Sequence, residues 1–428
     1  MRKPSRPRWL AAALLSLLVL GCDDDTSREV EAALKEAEVH QKASRWCEAR
    51  IALARAEGRL GKGGPKALRR RLEQMRTDIE LVARLEEVRL SQANLKDGAF
   101  DQAGAAARYA KAFRDHGIDL TTLRPEEAAR RVRESSRRQE VLAALDAWAM
   151  LKPAGEARKA LWAVADAADD NPWRKALRKT LASGDRMALV KLAHEPEAAT
   201  QPPAVLVLLG EALVRAGLAD EAIRLLRQGQ ERRPADFWLN HNLGLLLSRH
   251  QGSQAEAVGY YRAALALRPA SPAVYLNLGS ALLGQGTVDE AISSFRRAIA
   301  LAPTLAGAHL NLGVALARQG KLPEAEACYR QVIRLDPKHA PAHNHLGVTL
   351  MAQGKLDEAV PCFRNAIRLD PRFASAHLNL GNALRQKGDL DGAIACFRKV
   401  LQIRPDLAAA KKALDAALKE KGGQGSKP

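Results

Sequence analysis

The sequence predicts an all-α chain whose second half is a solenoid of six stacked helix pairs. Two residue series carry that prediction. Gly210, Gly244, Gly279, Gly313, Gly347 and Gly381 recur at one constant step, lengthened by a single residue only between Gly244 and Gly279. Pro234, Pro269, Pro303, Pro337, Pro371 and Pro405 keep the same step. Two markers in lockstep at a period of roughly 34 residues signal a repeat architecture in which each unit is one helix pair. Composition agrees. Hydrophobic residues make up 47% of the 428 but aromatics only 4%, so alanine and leucine must do most of the packing. That suits closely stacked helices and disfavours a β-sandwich, which wants β-branched and aromatic side chains.

The net charge of +18 points to acidic partners or anionic lipid headgroups. Arg and Lys are spread along the chain, and no basic run is interleaved with aromatics of the kind that stacks on single-stranded nucleic acid. No specific nucleic-acid partner is expected. Cys328, Cys362 and Cys396 are spaced by the repeat step and so occupy one register of successive pairs. Equivalent positions in stacked helices are roughly 8–10 Å apart, beyond the ~7 Å that a disulfide tolerates between Cα atoms. These three are expected neither to bridge nor to hold zinc. Cys47 sits inside the helical stretch Arg-Trp-Cys-Glu-Ala-Arg without a partner nearby in sequence.

Taken in order, the chain opens on a targeting segment. Arg2, Lys3, Arg6 and Arg8 precede the apolar run Trp9–Leu20, which is shorter than the ~20 residues needed to span a bilayer but suits a signal-peptide core. It ends in Val19-Leu20-Gly21-Cys22, which resembles the lipobox of bacterial lipoproteins. The resemblance implies cleavage after Gly21 and lipidation of Cys22, hence attachment to the cell envelope facing the periplasm or exterior. An ordinary cleaved signal and a short uncleaved anchor are the alternatives. Residues 1–21 are thus expected to be the signal, and 22–27, with Asp23-Asp24-Asp25, a polar tether.

From 28 to 202 the pattern is helical and less regular. Arg28–Lys42 and Arg45–Gly58 form an expected pair, with Trp46, Ala49, Leu53 and Ala56 on one face of the second. Gly61-Lys-Gly-Gly-Pro65 breaks the chain. Leu68, Leu72, Met75, Ile79, Val82, Leu85 and Val88 then step by threes and fours along one long amphipathic helix. Asp97-Gly98 stops it. Phe100–His116, Glu126–Arg138, Val141–Leu151, Glu156–Ala168, Pro172–Ala182 and Arg186–His194 follow as helices, with Pro172 suited to a first turn because it lacks an N–H that turn would not use. Strand patterns are absent. Gly58-Arg-Leu-Gly-Lys-Gly-Gly lacks both the spacing and the preceding strand of a phosphate loop. No His-Glu-x-x-His, Cys-x-x-Cys or Gly-x-Ser-x-Gly occurs. No catalytic residue, metal site, cofactor or small-molecule substrate is therefore expected.

Arg84-Leu-Glu-Glu-Val-Arg-Leu, Asp97-Gly-Ala-Phe-Asp, Ala112-Phe-Arg-Asp-His-Gly-Ile-Asp, Ala143-Ala-Leu-Asp-Ala-Trp148 and Asp236-Phe-Trp-Leu-Asn-His-Asn-Leu-Gly244 resemble the helical spacer and repeat array that follow the kinase domain in certain bacterial eukaryotic-like serine/threonine kinases. The kinase motifs themselves are missing: there is no Gly-rich loop on a strand, no His-Arg-Asp with its downstream Asn and no Asp-Phe-Gly to hold phosphates and Mg²⁺.

In the repeats, Ala stands twelve residues after the glycine, an aromatic at sixteen, a small residue at nineteen and Pro at twenty-four, as in Gly313, Ala325, Tyr329 and Pro337. This pattern resembles the tetratricopeptide (TPR) family, which implies a right-handed superhelical solenoid of antiparallel helix pairs. The expected repeats are 203–236, 237–271, 272–305, 306–339, 340–373 and 374–407, with an extra residue of the second unit between Gly244 and Gly252. A capping helix over 408–420 and a disordered tail over 421–428 complete the chain.

The resemblance also implies a concave groove lined by the first helix of each pair. The residue two before each glycine then faces it: Asn242, Asn277, Asn311, His345 and Asn379. Arg249, Arg318, Arg385, Gln386 and Asn382 fall where further groove contacts are expected. Similar repeats in O-GlcNAc transferases hold peptides with an Asn ladder, and each amide offers both a donor and an acceptor to a peptide main chain. Alternatively, Asn is simply common at that position in such repeats. His309, His343 and His377 also recur at the repeat step and are expected to pack between helices. The sequence thus points to a non-catalytic scaffold that binds a protein or peptide at the bacterial envelope, or to a regulatory or assembly subunit of a separately encoded kinase.

Overall fold

The computed structural model describes residues 25–40, 46–61, 64–92, 95–96, 99–100, 102–135, 137–250 and 252–424, with the side chains of 46–47, 90–103 and 423–424 left undescribed. Cys22, the signal and the start of the tether lie outside the described residues, as do the side chains of Trp46 and Cys47. The chain falls into two compact units, one within Met1–Gln92 and Asp101–Asp185, the other within Ala93–Phe100 and Arg186–Pro428.

The first unit holds α1 (25–40), α2 (Trp46–Leu60), α3 (Lys66–Gln92), α4 (Gln102–Asp115), α5 (Pro125–Glu134), α6 (Arg138–Leu151), α7 (Glu156–Ala168) and α8 (Pro172–Ser183). The periodicity of α3 gives it 27 residues, and its buried Leu72 and Ile79 join Val30, Leu34, Ala49, Leu53 and Ala56 in one core. Phe113 of α4 stacks on Trp148 of α6 with centroids 5.5 Å apart. Asn171 caps α8 by accepting from the Arg174 N–H at 2.8 Å, and Pro172 occupies the first turn. One feature departs from the all-helix expectation for this region: Leu95–Lys96 (β1) pairs antiparallel with Ala99–Phe100 (β2). Asp97-Gly98, read as a helix stop, is equally a hairpin dipeptide.

A buried ionic network joins α6, α7 and α8. Arg178 of α8, 2% exposed at its side chain, bonds Asp146 of α6 at 2.7 and 3.0 Å, Asp166 of α7 at 2.9 Å and Asp169 at 2.8 Å. Arg174 adds a second guanidinium to Asp169. Burial opposes the charge on Arg178, but its three carboxylates outweigh burial and raise its pKa. Burial likewise works to raise the Asp169 pKa; the bonds from Arg174, the Asn171 N–H and Arg178 win and hold it at about 2.

The second unit, to which the β1–β2 pair belongs, continues with α9 (Arg186–His194) and a 3-10 turn at Ala198–Thr200, which pack beside the first repeat. Six pairs follow: α10 (Pro203–Arg215) with α11 (Ala219–Arg232), α12 (Phe237–Arg249) with α13 (Gln254–Leu267), α14 (Pro272–Gln285) with α15 (Val288–Leu301), α16 (Ala306–Arg318) with α17 (Leu322–Leu335), α18 (Ala340–Ala352) with α19 (Leu356–Leu369), and α20 (Ala374–Gln386) with α21 (Leu390–Ile403). α12 ends at the same register after its glycine as α10, α16, α18 and α20, so the extra residue lies in the turn after it.

The glycine has a steric reason. A Cβ on Gly347 would lie 2.6 Å from the Phe363 ring, and one on Gly381 2.5 Å from Phe397. Gly244, Gly279 and Gly313 are pressed equally closely by Tyr261, Phe295 and Tyr329. Those five rings are buried, as are Ala222, Ala257, Ala291, Ala325, Ala359 and Ala393 at the other signature position. The first repeat departs from the expected aromatic: Leu226 stands there, and a Cβ on Gly210 would meet it at an ordinary 3.4 Å. Its smaller side chain leaves the wedge slack at that end.

The last helix, α22 (Ala408–Gln424), runs four residues into the stretch expected to be disordered. Its Ala410 and Ala417 are buried against the array, and Lys421 forms an ion pair with Asp391. Lys411, Lys412 and Lys419 face solvent, as a cap requires.

Candidate peptide-binding groove

Successive first helices approach one another, α10 with α12, α12 with α14, and so on to α20 with α22. Among the described residues the successive second helices stand further apart. A curved stack brings its inner members closest, so the first helices line the concave side and the amides they carry sit there.

Each asparagine of the series is half-buried, and each uses its Nδ2 within the array. Asn242 donates to the Trp238 carbonyl one turn back at 2.8 Å. The next three reach across to the preceding repeat. Asn277 Nδ2 lies 3.3 Å from His241 Nε2, Asn311 donates to Ser280 Oγ at 3.0 Å, and Asn379 donates to Asn344 Oδ1 at 3.0 Å. Ser280 passes its own proton to the Leu276 carbonyl at 2.9 Å. The donors thus stitch first helices together, which sequence reasoning missed: it assigned both halves of each amide to a ligand. Among the described residues the Oδ1 atoms of these four asparagines accept no hydrogen bond, so the ladder presents oriented acceptors.

His345 breaks the series. Its ring stacks on Tyr329, 5.4 Å between centroids and 15° from parallel. Burial, aided by His339, lowers its pKa, so the imidazole stays neutral near physiological pH. Beside the amides, one turn further along each helix, stand Leu245, Ser280, Val314, Val348 and Asn382, none of them buried. Along these positions an amide is followed by a small or aliphatic side chain in the second to fourth pairs, while His345 and Asn382 break the alternation in the fifth and sixth.

The basic candidates divide. Arg318 donates to the Leu283 carbonyl of the previous repeat at 3.2 Å. Arg385 is paired with Glu420 of α22 at 3.1 Å, so the cap engages a group expected to face a ligand. Arg249 and Gln386 are exposed, and Asn382 is half-exposed.

The histidine series has a structural role. His309, His343 and His377 each place Nε2 on the carbonyl of the proline six residues earlier, at 2.9, 3.2 and 3.1 Å from Pro303, Pro337 and Pro371. Asn240 does the same for Pro234 at 2.9 Å. An N–H on Nε2 satisfies a turn carbonyl that no backbone group reaches. Cys328, Cys362 and Cys396 are free and half-buried. Burial pushes the Cys328 thiol up to about 11 and raises the other two, which suppresses their reactivity.

On the outer helices a ladder of ion pairs joins successive repeats: Arg227–Glu256 at 2.6 Å, Arg262–Glu290 at 2.7 Å, Arg296–Glu324 at 3.3 Å and Arg330–Glu358 at 3.5 Å. It ends where Gly392 takes the register of the acid. Its signal, an Arg on one second helix and a Glu in the first turn of the next, was present in the sequence.

A family model described as tetratricopeptide repeat matches residues 207–272. Another, described as the C-terminal domain of cilia and flagella-associated protein 70, matches residues 241–426. The repeat region is a TPR array. No curated protein matches the chain in sequence. Among solved structures it is similar to PilW, described as a widely conserved type IV pilus biogenesis factor, at 21% identity over 50% of this chain and 98% of that one, with a TM-score of 0.46. YrrB, described as a TPR protein with an unusual peptide-binding site, is 24% identical over 44% of this chain and 96% of its own, with a TM-score of 0.37. MamA from Desulfovibrio magneticus RS-1 is 24% identical over 40% and 97%, with a TM-score of 0.37.

Proposed function

We propose that the protein is a non-catalytic scaffold whose TPR groove holds an extended segment of a partner protein at the bacterial envelope. The observation that carries this is the set of asparagine Oδ1 acceptors, held in place by their own Nδ2 bonds and left open along the inner helices. Stacked helices repeat every ~8–10 Å and an extended chain rises ~3.3 Å per residue. Successive amides therefore suit main-chain N–H groups three residues apart, which face the same way when the extended peptide winds as a polyproline II helix of three residues per turn, while the aliphatic side chains between them suit its apolar residues. Because the acceptors are pre-oriented, the groove side chains lose little further freedom on binding.

The test is the triple variant N277A/N311A/N379A, assayed after cross-linking in cells from photoreactive residues placed at Val314 and Val348. The variant is expected to retain its helical content, because the lost donors each serve one partly exposed bond, and to lose capture of the partner by on the order of tenfold. Undiminished capture would overturn the ladder.

The anchor belongs to the same proposal. The Val19-Leu20-Gly21-Cys22 sequence supports lipidation of Cys22, and a tethered groove would gain effective concentration for membrane-bound partners. Cys22→Ser should move the protein from the membrane to the soluble fraction and abolish its labelling by a clickable fatty acid. Persistent membrane labelling would refute the anchor and leave the groove untouched.

A further inference from the structure

We propose that the trough between α7 and α8 in the first unit is a second docking site, for an acidic peptide segment of a partner protein. The trough encloses ≈ 540 Å³. Its origin is the Arg178 network. Arg178 reaches from α8 to Asp166 of α7 and Asp146 of α6, so an Arg–Asp pair stands between the helices where close packing would otherwise be. Ala163 on α7 and Ala176 on α8 are too small to fill the space and are both exposed.

The charge of the rim selects the ligand. Lys175 and Lys179 stand one helical turn apart on α8, both exposed, and Lys159 faces them from α7. Among the described residues no carboxylate lies within ion-pair distance of Lys175 or Lys179; Asp170 acts on Lys175 only from further away. Lys159 pairs with Glu156 at 2.9 Å, with both side chains more than two-thirds exposed, a contact easily exchanged. Asp166, the one acid on the wall, already has an oxygen bonded to Arg178. Three ammonium groups therefore rim an apolar floor.

Trp162 lines the floor and is 5% exposed, and the charged rim carries the assignment to an acidic ligand. Like charges at one-turn spacing disfavour α8 in isolation, and an acidic partner relieves them. The segment expected is one with carboxylates spaced by a turn or two and an apolar residue to enter between the alanines.

Binding of a fluorescein-labelled peptide of repeated Glu-Glu-Leu units to the full chain tests this, with a Lys-Lys-Leu peptide as control. The acidic peptide should bind, the basic one should not, and K175E/K179E should weaken binding on the order of tenfold. Ala163→Leu fills the trough without changing charge and should also weaken it. Both variants alter exposed positions, and circular dichroism checks that they fold. N277A/N311A/N379A should leave this binding unchanged, which separates the trough from the repeat groove. Equal binding by K175E/K179E would overturn the proposal. So would a single-stranded oligonucleotide that binds as tightly and is lost in the same variant, which would make the surface a nucleic-acid site. Displacement of the peptide by an equal concentration of inorganic phosphate would reduce the site to one for a free anion, and would overturn it as well.

Discussion

Phe363→Ala is expected to lower the stability of the repeat array by about 3–5 kcal/mol, the usual cost of truncating a fully buried aromatic. The ring is 0% exposed and lies against Gly347, where even a methyl group would come within 2.6 Å of it. α18 cannot move in to close the resulting cavity, because α17 and α19 both pack on it. Array stability is the sum of unit and neighbour terms, so the loss should pass into repeats on both sides. A shift of the urea transition followed by far-UV circular dichroism measures it. Phe363→Tyr should cost less than the alanine variant, since Tyr261 and Tyr329 fill this register elsewhere and only the burial of a hydroxyl is added. A loss below about 1 kcal/mol for the alanine variant, under the usual range for such truncations, would mean that the ring does not hold the pair together.

Arg178→Ala should cost the first unit a comparable ~3–5 kcal/mol, the penalty for removing one member of a buried ionic network. Asp146, 4% exposed at its side chain, would keep its desolvation and lose its counter-ion. Asp169 would retain Arg174 and the Asn171 N–H. Arg178→Lys should recover part of the loss, because a point-like ammonium cannot fork across three carboxylates. Thermal melting of the full chain, followed by tryptophan fluorescence, reads the effect through Trp148, Trp162 and Trp173. Within the network Asp169 contributes acid sensitivity, opposed by Asp146, whose pKa burial raises. Asp169 titrates at about 2 when folded, against an ordinary 3.8. Its folded pKa is depressed, so its contribution is complete above the ordinary value and is lost as pH falls from about 4 towards 2. Arg178→Ala should blunt that loss, since one of the groups that depresses the Asp169 pKa is gone.

The Gly–aromatic wedge was legible because it answers one steric demand met again in every unit, and repetition exposes a demand even when its cause is hidden. The slack first wedge breaks the pattern at Leu226, where an aliphatic residue stands in the aromatic register. The helix bounds in the first unit followed from local signals: Glu156–Ala168 and the start of α8 at Pro172 fall where the apolar spacing and the proline placed them. The β1–β2 pairing was missed because two residues per strand carry no periodicity. The Arg178 network was missed for a related reason. Its partners lie 32, 12 and 9 residues away, and no repeated spacing marks them.

The sequence by itself determined the solenoid and its six units, because helix periodicity and repeat length are properties of the chain read one residue after another. Only the tertiary structure decided what the groove residues do. Asn277, Asn311 and Asn379 became half structural, their donors turned to His241, Ser280 and Asn344 of the preceding repeat. Arg385 was taken by Glu420 of the cap. Those outcomes depend on how far one helix is rotated against the next, which is set by the wedge of Phe or Tyr against Gly and has no record in the spacing of the polar residues themselves.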